Sequence, residues 1–270
     1  MSSFLISERE DTIVKAQSIY ISELLTQQEL LDISEGNGTG IELIRFSIAS
    51  ELDRVGDAIA EVESAFLSRP NPPHLTLHGP YMDLNPSTWD SQVRLATMLR
   101  YSQAYAAAQA LGAEKLVLHT GFIPHANFLE GWPPRVADFF LEWLDGRSGV
   151  TIALENVFDP IWEPLLEVWR QVNRPDFTLC LDVGHAHCYA AQPVSEWAER
   201  LLPALGHVHF HDNHGPRPFP HTPDEHLALG NGTLPVRALL RILSEKPDLT
   251  CAIECSRKED VMRSLEALLA

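Results

Sequence analysis

Six residues that could bind a metal ion or exchange a proton stand at or near the ends of six short apolar runs in this 270-residue chain. Three are histidines and three are acids: His78, His119, Glu155, Asp182, His209 and Glu254. The position before each of them is aliphatic, and strand side chains alternate between two faces, so we expect all six on one face. Packing such ionisable groups together is costly without compensating charge, which divalent cations would supply. The pattern predicts a metal site with several ligands.

Two further segments add candidate ligands. In "LDVGHAH", His185 follows Asp182 by three residues, in the turn that leaves the apolar run. In "PDEHLALGNG", Asp224 and His226 lie in the loop after the run that contains His209. A lone D-x-H motif is weak evidence, but this loop must begin and end near the same edge of the sheet. We therefore expect these three side chains to join the other six.

The segment "HVHFHDNH" contains four histidines, for which alternation predicts different roles. His209 has the position of a ligand, and His207 lies deeper, where we expect it to form hydrogen bonds. His211 follows just past the ligand position and is a candidate for supporting the site or contacting a substrate. His214 is expected in a solvated loop. One histidine of the four is therefore predicted to bind metal.

The elements that must position these residues alternate regularly. Apolar runs at 40–47, 74–78, 115–119, 150–155, 177–182, 206–211 and 250–255 are separated by helical patterns. An eighth strand is expected before residue 40, within 18–22. Eight such units predict an α/β fold, a single (β/α)8 TIM barrel over residues 1–270, whose active site lies at the C-terminal ends of the strands. The alternative, a doubly wound open sheet, would show a glycine-rich phosphate loop, which this sequence lacks.

Composition restricts the partners. The net charge of −17 disfavours binding to nucleic acid and to anionic membranes, although metal ions can still create a local positive site. The four cysteines form no C-x-x-C pair and are expected to be reduced and structural, because three of them lie in or next to apolar runs. The N-terminus has no signal-peptide pattern, and no window has 18 uncharged apolar residues, so we expect a cytoplasmic protein. The oligomeric state is not determined by the sequence.

The order of the motifs resembles a known superfamily. The segments "LHGPY", "LHTG", "LENV", "LDVGHAH", "HVHFHDN", "DEHLALGNG" and "IECS" span residues 74–256. Together they resemble the endonuclease IV / xylose isomerase-like TIM-barrel superfamily, which includes many proteins labelled sugar phosphate isomerase/epimerase. The first 40 residues match it poorly.

The resemblance implies three metal-binding groups, described here as the first, middle and third groups. The first comprises His78, His119 and Glu155. Glu155 would bridge to the middle group, which is completed by Asp182, His209 and Glu254. The third comprises His185, Asp224 and His226. Mixed imidazole and carboxylate ligands suit Zn²⁺, Mn²⁺ or Fe, of which Zn²⁺ is favoured.

Two reactions fit this ligand set. The favoured one is phosphoester hydrolysis on a small phosphorylated or sugar-like substrate, because clustered metal ions activate water and hold both oxygens of a phosphoester. The alternative is a sugar isomerase or epimerase that uses one metal ion, with Glu155 and Glu254 as the acid–base pair. An abasic-site DNA endonuclease is disfavoured by the charge, which three divalent ions would only bring to −11. A non-catalytic metal binder is the remaining class.

Two rim residues are candidates for substrate binding. Tyr81 resembles a substrate-facing tyrosine of endonuclease IV, with rim packing as an equal alternative. Arg217 lies in a proline-rich loop at 213–223, which also holds Pro218 and Pro220, and it could meet a phosphate or carboxylate. The alternative for Arg217 is a simple solvated side chain.

Overall fold

A computed structural model, which describes residues 15–217 and 223–270, contains a closed barrel of eight parallel strands. The strands follow one another in chain order, and the last pairs with the first. Their bounds are β1 Ile19–Ser22, β2 Gly40–Leu43, β3 Leu75–His78, β4 Lys115–His119, β5 Thr151–Glu155, β6 Phe177–Asp182, β7 Leu205–Phe210 and β8 Thr250–Ile253. The predicted (β/α)8 barrel is confirmed, and its first strand lies within the segment expected for it.

Helices connect successive strands on the outside of the barrel. They are α1 Gln27–Asn37, α2 Ala49–Asp53, α3 Val55–Val62, α4 Ser91–Leu111, α5 Trp132–Trp143, α6 Glu163–Val172, α7 Val183–Tyr189, α8 Val194–Leu201, α9 Val236–Leu243 and α10 Lys258–Leu269. Short turns of 3₁₀-helix lie at Ala16–Ser18, Arg45–Ser47 and Leu202–Ala204, and a π-helical turn follows α3 at Glu63–Leu67. The sequence did not predict α1 or α7.

Local sequence explains where the helices begin and end. Thr26 and Glu29 form a reciprocal capping box at the start of α1, and Asp90 accepts backbone hydrogen bonds at the start of α4. Both helices end at glycines with positive φ, Gly38 and Gly112. This left-handed conformation costs glycine little because it has no Cβ.

Side chains on the two faces of the barrel strands pack into two different cores, one outside the barrel and one inside it. The aliphatic residues that precede the predicted ligands point outward and join the main core between barrel and helices. Small interior residues form a separate buried cluster inside the barrel, consisting of Val117, Ala153 and Cys180. This interior is the face that the sequence predicted to be narrow. The ligand candidates lie one pleat further along, at the C-terminal rim of the barrel.

The loop after β7 is held to the rim by Asp212. This buried carboxylate accepts backbone hydrogen bonds from Asn213, Gly230, Gly232 and Leu234 at 2.8–3.0 Å. Its backbone also exchanges two hydrogen bonds with Leu227. These contacts bring Asp224 and His226 back to the barrel, although both lie far along the chain from the nearest ligand on β7.

Other expectations concern the rest of the chain. All four cysteines are free thiols, as predicted, and all four are buried. Pro218 and Pro220 of the proline-rich loop lie outside the described residues. Within 15–217 and 223–270, no helix is both long and apolar enough to cross a membrane.

Candidate metal centre

All nine predicted ligands lie together at the C-terminal end of the barrel. Seven of them line a cavity of about 420 Å³: His78, His119, Glu155, His185, Asp224, His226 and Glu254. The other two, Asp182 and His209, are fully buried. The structure therefore brings together side chains from five strands (β3 to β7), the residue after β8, helix α7 and the loop after β7, as the sequence predicted for the set. His185 lies in the first turn of α7, because Asp182 caps that helix, and not in the turn expected there. Their role as ligands stays a prediction.

Glu155 stands at the centre of this arrangement and is only 1% exposed. Its Oε2 atom lies 3.3 Å from Nε2 of both His78 and His119. Its Oε1 atom lies 3.4 Å from Nδ1 of His185 and of His209. Neither oxygen accepts a hydrogen bond from a residue in the described part of the chain. A buried carboxylate without hydrogen bonds is costly, so Glu155 has the surroundings of a ligand shared between two cations.

In the first group, two imidazole nitrogens face each other. His78 donates from Nδ1 to the backbone oxygen of Gly79 at 2.9 Å, which leaves a lone pair on Nε2 when the ring is neutral. That nitrogen lies 3.1 Å from Nε2 of His119. Together with the nearby Glu155 oxygen, the two nitrogens form a triangle of atoms that can each bind a divalent cation when the rings are neutral. A cation between them would relieve their repulsion.

In the middle group, Nδ1 of His209 faces carboxylates from three strands or strand ends. The distances from this nitrogen are 3.2 Å to Oε1 of Glu254, 3.4 Å to Oε1 of Glu155 and 3.9 Å to Oδ2 of Asp182. Asp182 is held in place because it also caps α7, where its Oδ1 accepts the backbone N–H of His185 at 2.7 Å. Burial lowers the pKa of His209, but the surrounding negative groups, Glu254 and Glu155 among them, outweigh it and hold that pKa well above its usual range. The middle group therefore needs positive charge, which a protonated ring or a bound cation would supply.

In the third group, both histidines are oriented by backbone carbonyls. His185 points Nδ1 at the oxygen of Asn156 at 3.2 Å, and His226 points Nδ1 at that of Glu254 at 2.9 Å. Their Nε2 atoms then face the two oxygens of Asp224, at 3.4 and 3.2 Å respectively. His226 also adopts a φ of +49°, a left-handed conformation that is rare for residues other than glycine. Such local strain is typical of functional sites.

The distances within these groups fit metal coordination. Two ligand atoms bound to one tetrahedral zinc ion, each about 2.0–2.1 Å from it, lie about 3.3–3.4 Å apart. Direct hydrogen bonds between charged nitrogen and oxygen groups are shorter, at about 2.7–2.9 Å. The contacts between nitrogen and oxygen in the first and third groups, at 3.2–3.4 Å, match the first case. The donor set therefore fits divalent ions better than a directly hydrogen-bonded cluster.

The three predicted substrate-binding residues have different positions. Tyr81 lines the cavity, where its ring stacks on His119 with centroids 4.4 Å apart. His211 is fully buried, and its Nε2 lies 3.1–3.2 Å from the oxygens of Asp182, which favours a supporting role over substrate contact. Arg217 is not among the residues that line the cavity and pairs with Glu225 at 3.1 Å. Substrate binding by each of them stays a prediction.

Sequence reasoning missed Glu42, which lies on β2 inside the barrel and is fully buried. Its Oε1 lies 3.1 Å from Nε2 of His209, and its Oε2 lies 3.1 Å from Nε2 of His207. Burial lowers the pKa of His207 to about 4 despite this carboxylate, so the ring is neutral near pH 7. The sequence did contain a signal for Glu42, because it is an acidic residue inside the apolar run at 40–47. The prediction that His207 forms hydrogen bonds inside the barrel is confirmed.

A second missed acid, Asp159, lies just after β5. It is 4% exposed and accepts hydrogen bonds from the Thr120 hydroxyl at 2.7 Å and the Val157 backbone N–H at 3.0 Å. Burial raises the pKa of Asp159 to about 6, although these hydrogen bonds act in the opposite direction. This acid ties together the loops that follow β4 and β5.

Comparisons with known proteins agree with this architecture. The sequence profile described as "Xylose isomerase-like TIM barrel" matches residues 37–270. The uncharacterized protein MJ1311 of Methanocaldococcus jannaschii is 30% identical over 213 residues, which are 72% of this chain and 68% of that protein. A D-tagatose 3-epimerase-like protein of known structure is 25% identical, with a TM-score of 0.75 over 93% of this chain and 95% of that one. The TTHB071 protein from Thermus thermophilus, soaked with ZnCl2, is also 25% identical, with a TM-score of 0.74 over 93% and 97%.

Proposed function

We propose that this chain, which belongs to the xylose isomerase-like TIM-barrel family, is a divalent-metal-dependent hydrolase of small phosphoesters. In this proposal the first, middle and third groups each hold one ion, and Zn²⁺ is the favoured metal. Bound there, the ions would activate water and offset the negative charge of the phosphoester.

The third group carries this choice of reaction. An isomerase or epimerase of this type needs one metal ion and two carboxylates, which the middle group alone would provide. His185, Asp224 and His226 would then only support the metal ligands or bind the substrate. Yet the two histidines are fixed by backbone carbonyls with Nε2 directed at Asp224, and His226 adopts a strained conformation to reach that position. This arrangement supports a third ion.

The roles of the chain's own residues follow from their positions. Glu155, with imidazole nitrogens of His78, His119 and His209 within 3.4 Å, would hold the first and middle groups together. Glu254 contacts His209 and also lines the cavity, so it can accept a hydrogen bond from the attacking water. Tyr81 packs against His119 at the cavity wall and can contact the substrate.

The cavity favours a small substrate. It contains about 420 Å³, and among the described residues its lining includes no lysine or arginine. The charge of a phosphate would therefore be neutralised by metal ions. Extended nucleic acid is disfavoured, because backbone binding needs several basic contacts and the chain carries a net charge of −17.

A sugar isomerase or epimerase is the second candidate. Two observations favour it: Glu155 and Glu254 both line the cavity, and one similar structure is described as D-tagatose 3-epimerase-like. In this case the two carboxylates would move a proton on a substrate held by the middle group.

Replacing His226 separates the two candidates. The His226→Ala variant removes a ligand of the third group and leaves the middle group intact. Zinc-loaded wild type and variant are assayed with a panel of phosphomonoesters and phosphodiesters and with a panel of ketoses and aldoses. The hydrolase proposal predicts phosphoester hydrolysis that falls at least about 100-fold in the variant, a loss of about 3 kcal/mol. Sugar epimerisation at equal rates in both proteins, with no hydrolysis, would contradict it.

A further inference from the structure

The Nε2 atom of His209 lies 3.1 Å from a carboxylate oxygen of Glu42, a buried residue on β2 inside the barrel. We infer that Glu42 is a positioning residue that fixes the His209 ring with its Nδ1 lone pair directed at the middle group. The inference rests on the proposed function only in that His209 is taken to bind metal. It does not depend on which reaction the metal site performs.

The contacts of Glu42 define the protonation of its neighbours. An ionised carboxylate only accepts hydrogen bonds. Oε2 accepts from Nε2–H of His207 at 3.1 Å and from the Thr76 hydroxyl at 3.0 Å. Oε1 lies 3.1 Å from Nε2 of His209. The two atoms are not aligned for a hydrogen bond, but the negative charge of Oε1 at this distance still stabilises a proton on Nε2. With Nε2 protonated, a neutral His209 carries its lone pair on Nδ1, the atom that faces Glu155 and Glu254.

The opposite tautomer would be unfavourable at both ends of the ring. A lone pair on Nε2 would face the negative Oε1 of Glu42 at 3.1 Å. A proton on Nδ1 would point at the carboxylates of the middle group and would compete with a metal ion for the same position. Both ends of the ring thus favour the tautomer with the proton on Nε2. The effect of Glu42 on this tautomer persists when a metal ion binds at Nδ1.

Other ligand candidates obtain the same orientation from the backbone. His78 and His226 each direct Nδ1 at a backbone carbonyl oxygen, at 2.9 Å. His209 instead has a charged partner, which also makes the ring a stronger electron donor to a bound ion. The orienting group of His209 is therefore one that a substitution can remove.

Glu42, His207 and His209 are close enough together to be considered a metal site of their own. Their hydrogen bonds favour the positioning role. His207 is held from its other side by the Thr250 hydroxyl, 2.6 Å from its Nδ1, and Thr76 occupies a further acceptor position of Glu42. The buried carboxylate thus already has partners in the chain.

The test replaces Glu42 by Gln, which has the same shape but only one acceptor oxygen for two N–H groups. Thr76→Val is the matched control, because it removes a hydrogen bond from the same carboxylate and leaves the contact with His209. Zinc affinity of each site is measured by competition with a chelator. We expect Glu42→Gln to weaken the zinc affinity of one site, the middle group, by about 10–100-fold, and Thr76→Val to leave all zinc affinities unchanged.

A second readout reports the ring directly. Nitrogen-15 NMR of the zinc-loaded wild type should show His209 protonated at Nε2, and Glu42→Gln should show a loss of that single form. Glu42→Asp, whose carboxylate is withdrawn by one methylene, should weaken the same site and serves if the Gln variant does not fold. Wild-type affinity and tautomer in both variants would overturn the inference. Loss of one whole zinc equivalent at saturation would also overturn it, because Glu42 would then be a ligand itself.

This experiment separates the inference from the proposed function. If the wild type binds zinc but hydrolyses no phosphoester, the hydrolase proposal fails while a weakened His209 site in Glu42→Gln still supports the positioning role. If hydrolysis is found but Glu42→Gln binds zinc normally, the inference alone fails.

Discussion

Replacing Glu155 by Gln should remove most of the stability that the chain gains from zinc. Glu155 is 1% exposed, and its two oxygens face nitrogens of the first and middle groups. An amide has the same shape but lacks the charge and the second acceptor needed to bridge two cations. We therefore expect a folded variant that retains the third group and loses tight binding at the other two.

The size of the effect follows from ligand linkage. A site exposed to free zinc at about 1,000 times its Kd contributes about 4 kcal/mol to the free energy of unfolding. If three sites of similar Kd are filled, zinc stabilises the wild type by about 12 kcal/mol and the variant by about 4 kcal/mol. The difference is a large fraction of the free energy of unfolding of a typical protein.

The assay is denaturant unfolding of each protein, with zinc and after chelation. The metal-free measurement separates any direct effect of the substitution from the effect of zinc. Asp159→Asn is the matched control, because it also converts a buried acid near the site into an amide. The Asp159 carboxylate accepts its hydrogen bonds from Thr120 and Val157, neither of which is a ligand candidate. If zinc raises the free energy of unfolding equally in wild type and Glu155→Gln, the bridging role of Glu155 is refuted.

Three further predictions concern individual groups. In the metal-free protein, burial raises the pKa of Asp159 to about 6. Its protonated form therefore stabilises the fold below about pH 4, and this stability is lost as the pH rises through 6. Asp159→Asn should remove about 3 kcal/mol of this pH dependence from the free energy of unfolding, measured by unfolding titrations at several pH values. His119→Ala should lose one zinc ion and most hydrolytic activity, and full activity after that loss would contradict the three-ion hydrolase. Cleavage of abasic DNA by the wild type should be inefficient at physiological salt, and efficient cleavage would show that the argument from net charge is wrong.

Much of the site could be predicted because strand periodicity and barrel topology act together. Alternation places residues such as His78 and Glu155 on the interior face, and a parallel barrel brings the C-terminal ends of all strands to one rim. Residues far apart in the chain thus become neighbours without any local signal between them. The fold and the positions of the six strand-end candidates follow from these two rules, whereas His185, Asp224 and His226 lie in α7 and in the loop after β7.

Other features depend on contacts that periodicity does not report. The apolar pattern continues past Leu43, but β2 ends there because Arg45–Ser47 form a 3₁₀ turn. Helix α1 is mostly polar, and α7 begins directly after β6 because Asp182 serves as both strand end and helix cap. Glu42 on β2 is recognisable as part of the site only when the closed barrel is known, because β2 does not pair with β7 and the contact with His209 crosses the barrel interior.

Metal content per chain, measured on the purified protein together with hydrolysis of a phosphoester panel, tests the central claim most directly. The proposal predicts about three divalent ions per chain, mainly zinc, and activity that disappears on chelation and returns when zinc is restored. About one ion per chain, with epimerisation or isomerisation of a sugar and no phosphoester hydrolysis, would contradict it.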